Sequence, residues 1–481
     1  MSFFCCLHNK MRVRWWSAAL LVATCLGGPA LRADSSVALG SAGALERAGQ
    51  TQDSGKNGTA ASYGSPVTDD RRLFKLRWRL PWALVGGSGL GTTPFASGFT
   101  ATSVGTPPGT ALLAEPMNAE GLSALIPTLA IGEADKLAQL QLGVISTSIG
   151  HASIVDRYTN SPDGAPRMPG VLLEGNLAGL GGQVAVGDLL AAPSFSAARV
   201  YGRPIMWFVA PDATFQPNEL DLDPRTEVAG MWVTGLTGAV DAAAPSASDA
   251  SGLVWMAGWD NEGAFLDNQV VKTIVYLDVN ALGATAGAAQ RVGVGAHPGL
   301  QLMFDAVGFR FDLASELNAG TDGYQARYFD RLYAIERVAS LGTGGKPKID
   351  VERPASWGYT LRAGGGFAEL FTAFVEARDQ FPMDPVRGAN SAQVTVGASA
   401  FVLMVGGAVT ATQAGISDYL HPNLLGPGFV VTGEGRVALV ANVLHVVGRA
   451  WRAHLAAGDS PDDYIVNEGT TLGIEVNLDF L

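Results

Sequence analysis

His151 and Ser153 stand two residues apart in Gly150-His151-Ala152-Ser153-Ile154-Val155-Asp156-Arg157-Tyr158-Thr159-Asn160, the most distinctive stretch of this 481-residue chain. On an extended strand, residues two apart share a face, so an imidazole base and a hydroxyl nucleophile there would be close enough to cooperate. The preferred reading is plainer: two polar strand residues held by hydrogen bonds, because no neighbour in the sequence orients His151. Other chemical signals are weak. His151, His297, His421, His445 and His454 are scattered without metal-ligand spacing. Gly87-x-Gly89-x-Gly91 runs into Thr92-Thr93-Pro94 with no helix signal, and no Gly-Lys-Ser/Thr is present for a phosphate loop. No cofactor is therefore expected.

Charged residues of both signs also recur at strand-like spacing. Arg199 and Arg203 flank Tyr201; Lys272, Tyr276 and Asp278 share one face; Arg310, Asp312 and Glu316 share another, as do Glu434 and Arg436. In a water-filled channel such groups would stay solvated and select permeants by charge. As structural ion pairs they would stiffen a wall. Buried in a sandwich core they would be costly.

The elements carrying these residues read at period 2. Val271, Thr273, Val275, Leu277 and Val279 alternate with Lys272, Ile274, Tyr276, Asp278 and Asn280. Phe309, Phe311, Leu313, Ser315 and Leu317 alternate with Arg310, Asp312, Ala314, Glu316 and Asn318, and Leu173, Gly175 and Leu177 with Glu174, Asn176 and Ala178. Leu73 to Trp82 sets Phe74, Leu76, Trp78 and Leu80 against Lys75, Arg77 and Arg79. The last ten residues mirror it: Leu472, Ile474, Val476, Leu478 and Phe480 on one face, Gly473, Glu475, Asn477 and Asp479 on the other. The basic and acidic faces suit each other, so these two segments are expected to pair, Arg77 near Asn477. Turn-forming clusters lie at Ser161 to Pro169, Pro217 to Pro224, Gly342 to Lys348 and Ala456 to Asp463. Residues 86 to 133 read as loop with a short helix near Asn118 to Leu129. Tyr324 to Arg337 packs aromatics and charges too densely for clean alternation. It is read as a strand crossing an aromatic girdle at Tyr324, Tyr328 and Tyr333, with a short helix folded into a pore as the alternative.

No apolar run reaches the roughly 18 to 20 residues of a membrane helix; Phe401 to Ala411 and Val437 to Val447 are about half that length. High apolar content (47%) dispersed in short alternating pieces is what a membrane barrel requires. From Met11, a possible start, the chain reads as a secretory signal: Arg12 and Arg14, an apolar run Ser17 to Leu26, then Pro29 and Leu31-Arg32-Ala33 before Asp34. Residues 1–33 would be that signal, 34–70 a flexible periplasmic tail, and 71–481 the barrel. All three cysteines (Cys5, Cys6, Cys25) fall in the signal. Residues 1–33 hold four basic groups and no acid, so the formal charge of −12 becomes −16 on cleavage. That sign disfavours nucleic acid and, if anything, favours cation passage.

A terminal strand ending in an aromatic resembles the closing strand of Gram-negative outer-membrane β-barrels, with Leu481 following Phe480 as a departure. The resemblance implies an all-β fold, a transmembrane antiparallel up-and-down barrel, and at roughly 22 to 28 residues per strand and connection about 16 strands, within 14 to 18. It implies the outer membrane, contact with its lipids and lipopolysaccharide, and assembly machinery engaging Leu472 to Phe480. The expected function is a porin-like passive channel for small solutes, with a closed structural or surface-interaction barrel as the alternative and a secreted soluble β-protein behind it. A lipid hydrolase ranks lower: outer-membrane phospholipase A and the lipid A deacylases use a similar His-x-Ser pair, continued by Asn where this chain has Ile154.

Overall fold

The computed structural model describes residues 74–480 apart from 85–127, 133–137, 161–168, 178–179, 190–194, 205–231, 247–251, 268–269, 286–291, 307, 338–345, 368–369, 387–390, 403, 417–425, 441–442 and 457–463. The expected signal and tail, and most of the helix expected near Asn118 to Leu129, lie outside the described residues. Thr128 and Leu129, at the end of that helix, begin a strand instead.

Eighteen strands form one antiparallel sheet. In chain order they are β1 (Phe74–Leu84), β2 (Thr128–Gly132), β3 (Ala138–Gly143), β6 (Gly170–Leu177), β7 (Leu180–Val186), β8 (Ser196–Gly202), β9 (Trp232–Ala244), β10 (Gly252–Asp267), β11 (Val271–Ala284), β12 (Gly293–Ala306), β13 (Phe309–Gly320), β15 (Ser356–Phe367), β16 (Phe371–Pro382), β17 (Ser391–Val402), β18 (Val405–Ile416), β19 (Phe429–Val440), β20 (Leu444–Ala456) and β21 (Tyr464–Phe480). Each pairs with the next, β3 with β6 and β13 with β15 across insertions. β21 returns to β1 in register, so the ring closes. Arg77 stands opposite Asn477, Lys75 opposite Asp479 and Arg79 opposite Glu475, the seam expected from the two complementary faces. The count lies at the top of the expected range, above sixteen, because connections at one end are very short: two residues between β12 and β13, three between β15 and β16. The apolar runs at Phe401 to Ala411 and Val437 to Val447 are hairpin halves, β17 with β18 and β19 with β20.

Burial is inverted relative to a soluble protein. On β11, Val275, Leu277 and Val279 are exposed while Tyr276, Asp278 and Asn280 are buried; on β13, Phe309, Phe311, Leu313 and Leu317 are exposed while Asp312, Glu316 and Asn318 are buried. Leu236 on β9 is 66% exposed, whereas Glu475 on β21 is 0% exposed. An apolar outer surface of this extent has to face lipid. Its height agrees. On β15 and β16, Phe367 pairs with Phe371 at the short-turn end and Trp357 with Phe381 at the other. Ten residues at ~3.3 Å, tilted by ~40°, span roughly 25 Å, the height of an outer-membrane apolar band.

Two connections fold into the barrel. The first carries the hairpin β4 (Ser146–Ile149) and β5 (Val155–Thr159); the second carries β14 (Phe329–Asp330), a single-turn helix α1 (Tyr333–Glu336) and a 3-10 turn at Lys348–Asp350. β14 pairs in parallel with β5, joining the two. Tyr324 to Arg337 is thus not the girdle strand preferred from the sequence. It is the infolded alternative, with Tyr324, Tyr328 and Tyr333 buried inside the barrel. Two features explain it: phenol groups in lipid would lack the hydrogen-bond partners they find inside, and the wall opens a slot for them. A Cβ added at Gly295 would lie 2.2 Å from the Tyr324 ring.

Candidate functional site

The infolded segments meet the wall in two ways. Toward β6–β11 the contact is largely apolar, with polar ties from His151 and Ser153 to Glu262 and Asp278 and from Tyr333 and Arg337 to Asp241: Ile145, Ile149, Ile154, Tyr158, Phe195, Phe329 and Tyr333 pack with Leu172, Val254, Met256 and Leu282 in one buried cluster. Tyr158 stacks on Phe195 at 3.8 Å, and Phe329 meets Tyr333 edge-on at 4.8 Å. A smaller apolar contact sets Leu332 and Ile335 against β18, β19 and β20.

Toward β13–β16 the contact is ionic. The Asp156 carboxylate, on β5, is fully buried and pairs with Arg157 (3.4 Å), Arg327 (3.3 Å), Arg362 (3.2 Å) and Arg378. Glu376 on β16 pairs with Arg157 at 2.5 Å and with Arg362 and Arg378 at 2.7 Å each. Glu316 on β13 accepts hydrogen bonds from Arg327 (2.8 Å) and Tyr276 (3.0 Å) and contacts His297 at 3.1 Å. Burial alone would raise the Asp156 pKa, but the four guanidiniums overcome it and hold the carboxyl well below its ordinary range. Ala152, Arg157 and Arg327 are the non-glycine residues with positive φ among the described residues (65°, 52° and 54°). All three sit where the two infolded segments touch, and Arg327 Nη1 donates to the Ala152 carbonyl at 3.1 Å. Such strain persists where surrounding contacts over-determine the backbone.

His151 and Ser153 lie in the turn between β4 and β5, not on a strand as expected. The partner missing from the sequence is supplied by the wall. His151 donates from Nδ1 to Asp278 and from Nε2 to Glu262, both at 2.7 Å, while Ser153 Oγ donates to Asp278 at 2.5 Å. Burial opposes the imidazolium, yet Asp278 and Glu262 raise its pKa to about 10. Both His151 nitrogens are occupied by carboxylates, and the Ser153 hydroxyl donates its hydrogen bond to Asp278 rather than to His151. A base and nucleophile are not assembled; the cluster ties the hairpin to β10 and β11.

The other sequence candidates distribute around the wall. Arg199, 2% exposed, pairs with Asp260 and lies 4.7 Å from the Tyr201 ring centre, while Arg203 and Lys272 are buried. Arg310 pairs with Asp305 at 2.8 Å near a turn, and Asp312 accepts from Gln301 at 2.8 Å. Glu434 and Arg436 meet at 3.3 Å, joined by Arg449 and by Glu475 at 3.7 Å from Arg436. Missed in the sequence were Asp156, Arg157, Glu262, Arg327, Arg362, Glu376 and Arg378. Glu376 and Arg378 show the same alternation used elsewhere, and the charge density of 324–337 was the signal for Arg327.

A pocket remains between the infolded segments and the wall, lined by His151, Tyr276, Gln301, Glu316, Arg327, Thr360 and Arg362, with Ala314 beside them. No family model matches this chain, and no curated protein does. Solved structures similar to it include CdiB from Acinetobacter baumannii (11% identity, TM-score 0.31), of which this chain spans 57% while 72% of its own length is covered. OccAB2 from Acinetobacter baumannii (9%, TM-score 0.35) is covered over 99% and covers 86% of this chain. A BenF-like porin from Pseudomonas fluorescens Pf-5 (9%, TM-score 0.36) is covered over 99% and covers 85%. The closed ring and inverted burial define the architecture. It is a closed antiparallel up-and-down β-barrel with an apolar outer face.

Proposed function

We propose that the protein is a narrow porin-like channel for small solutes in the outer membrane of a Gram-negative bacterium, exported by an N-terminal signal and carrying out no chemistry. One observation carries the reading: the space left inside the barrel is lined by charged and hydroxyl-bearing side chains of His151, Glu316, Arg327, Thr360 and Arg362 rather than by apolar packing. Lipids and lipopolysaccharide are the partners of the outer face, and Leu472 to Phe480 is the segment for assembly machinery. Detergent-extracted protein, folded as judged by altered gel mobility before boiling, is expected to give discrete current steps in planar bilayers. The second reading, a closed structural barrel, is favoured by the apolar cluster around Phe195 and Phe329. Electrically silent bilayers from folded protein would leave it standing.

A further inference from the structure

Among the described residues the two infolded segments form one body that bars the lumen. Both hang from the end opposite the short turns, one between β3 and β6 and the other between β13 and β15, and the pairing of β14 with β5 joins them. Tyr333 donates from Oη to Asp241 on β9 at 2.7 Å, while Leu332 next to it packs with Ala414, Val430, Ala453 and Leu455 on β18, β19 and β20. β9 and β18 to β20 lie on opposite sides of the eighteen-stranded ring, so this short stretch crosses it. Inward side chains elsewhere on the wall, Thr395, Thr410, Glu434, His445 and Glu475, are buried as well. The pocket beside His151 and Arg327 has room for about one water molecule, less than a hydrated ion needs.

The body is cationic and its seat is anionic. Over residues 144–160, 324–337 and 346–350, Arg157, Arg327, Arg331, Arg337, Lys346 and Lys348 outnumber Asp156, Asp330, Glu336 and Asp350. His151 adds a further positive charge because both of its nitrogens donate to carboxylates, and the net is +3. On the wall, Asp241 takes Arg337 at 2.5 Å, Glu262 and Asp278 take His151 at 2.7 Å, Glu316 takes Arg327 at 2.8 Å and Glu376 takes Arg157 at 2.5 Å. Pairs of the reverse sense join Asp156 and Asp330 to Arg362 and Arg378. We propose that this body is a voltage-driven gate: a potential negative on the side of the long connections draws it out and opens the lumen, and the opposite sign holds it shut. The inference rests on the channel reading above. Both roots lie at the long-connection end, which sets the direction in which the body can leave. A net +3 has to move through only about a fifth of the membrane field to change the open probability about tenfold per 100 mV.

The test is single-channel recording of the full chain in planar bilayers. An epitope inserted at the exposed Val386, in the connection between β16 and β17, and its antibody added to one chamber report which side the long connections face. The open probability is expected to rise about tenfold or more per 100 mV when that side is negative, and to fall when it is positive. Lys346→Glu reverses an exposed cation of the body, takes its net charge from +3 to +1 and is expected to cut the steepness by about two thirds with step size retained. Arg452→Gln, which removes an exposed cation of β20, serves as control and is expected to leave the steepness unchanged. An open probability that ignores the sign of the potential, one that rises with the other sign, or a Lys346→Glu channel of unaltered steepness overturns the proposal and leaves the channel in place. Folded protein that gives no current steps at either sign removes the channel reading itself and the proposal with it.

Discussion

The two seats of the infolded segments, largely apolar on β6–β11 apart from the ties to Glu262, Asp278 and Asp241 and ionic on β13–β16, hold one object by unlike forces. The apolar seat works by area removed from water and tolerates changes of pH and salt. The ionic seat is a set of mutually neutralising groups, so its strength depends on completeness: removing one member leaves its partners buried and uncompensated. A barrel interior can thus be rigid on one side and conditionally held on the other. The conditional side is also where the pocket lies.

The sharpest way to break this contrast is Asp156→Asn, which removes the carboxylate shared by four guanidiniums and leaves Arg327 to Glu316 and Arg157, Arg362 and Arg378 to share Glu376 and Asp330. It is expected to weaken docking of residues 145–159 by about 3–5 kcal/mol, read as faster amide hydrogen exchange there and as noisier, larger current steps. Because the Asp156 pKa is depressed, the stabilisation is present above the ordinary value of 3.8 and is lost only as pH falls well below it. Phe329→Ala attacks the other seat by opening a cavity, expected to cost about 3 kcal/mol. Its effect on exchange should be the same at low and high salt. A strong salt dependence for Phe329→Ala would erase the distinction between the seats.

His151 provides a finer probe. Its pKa is raised from 6.5 to about 10, so its contribution is present in full below pH 6.5 and is lost as pH rises through about 10. Exchange of residues 145–159 should quicken over that window, and His151→Gln should flatten the profile. The smallest effect belongs to Ser153→Ala, which deletes one hydrogen bond to Asp278 and should cost about 1 kcal/mol. Lipid turnover should be absent in both forms. Hydrolysis by wild type that disappears in Ser153→Ala would restore the enzyme reading.

The strands were the legible part of this molecule. β11, β13 and β21 each write their two faces in alternate residues, because neighbouring side chains of a strand point to different surroundings, and the seam register followed from matching two such faces. The segment 324–337 resisted because its pattern matches neither period. Its aromatics answer to Gly295 and Gly320 in the wall, and its charges to carboxylates on other strands. The cluster at His151 was half legible: the donors stand in one decapeptide, but their acceptors Glu262 and Asp278 are 111 and 127 residues away.

By itself the sequence determined the period-2 strands and which of their faces is apolar, since both depend on local geometry and on solvent. Tertiary structure alone decided that the lumen is partly filled and that Asp156 gathers four arginines, one of them 222 residues distant. These are consequences of ring closure, which brings strands remote in the chain to a common interior. Charge balance there is a property of the assembled wall and plug, and no local spacing encodes it.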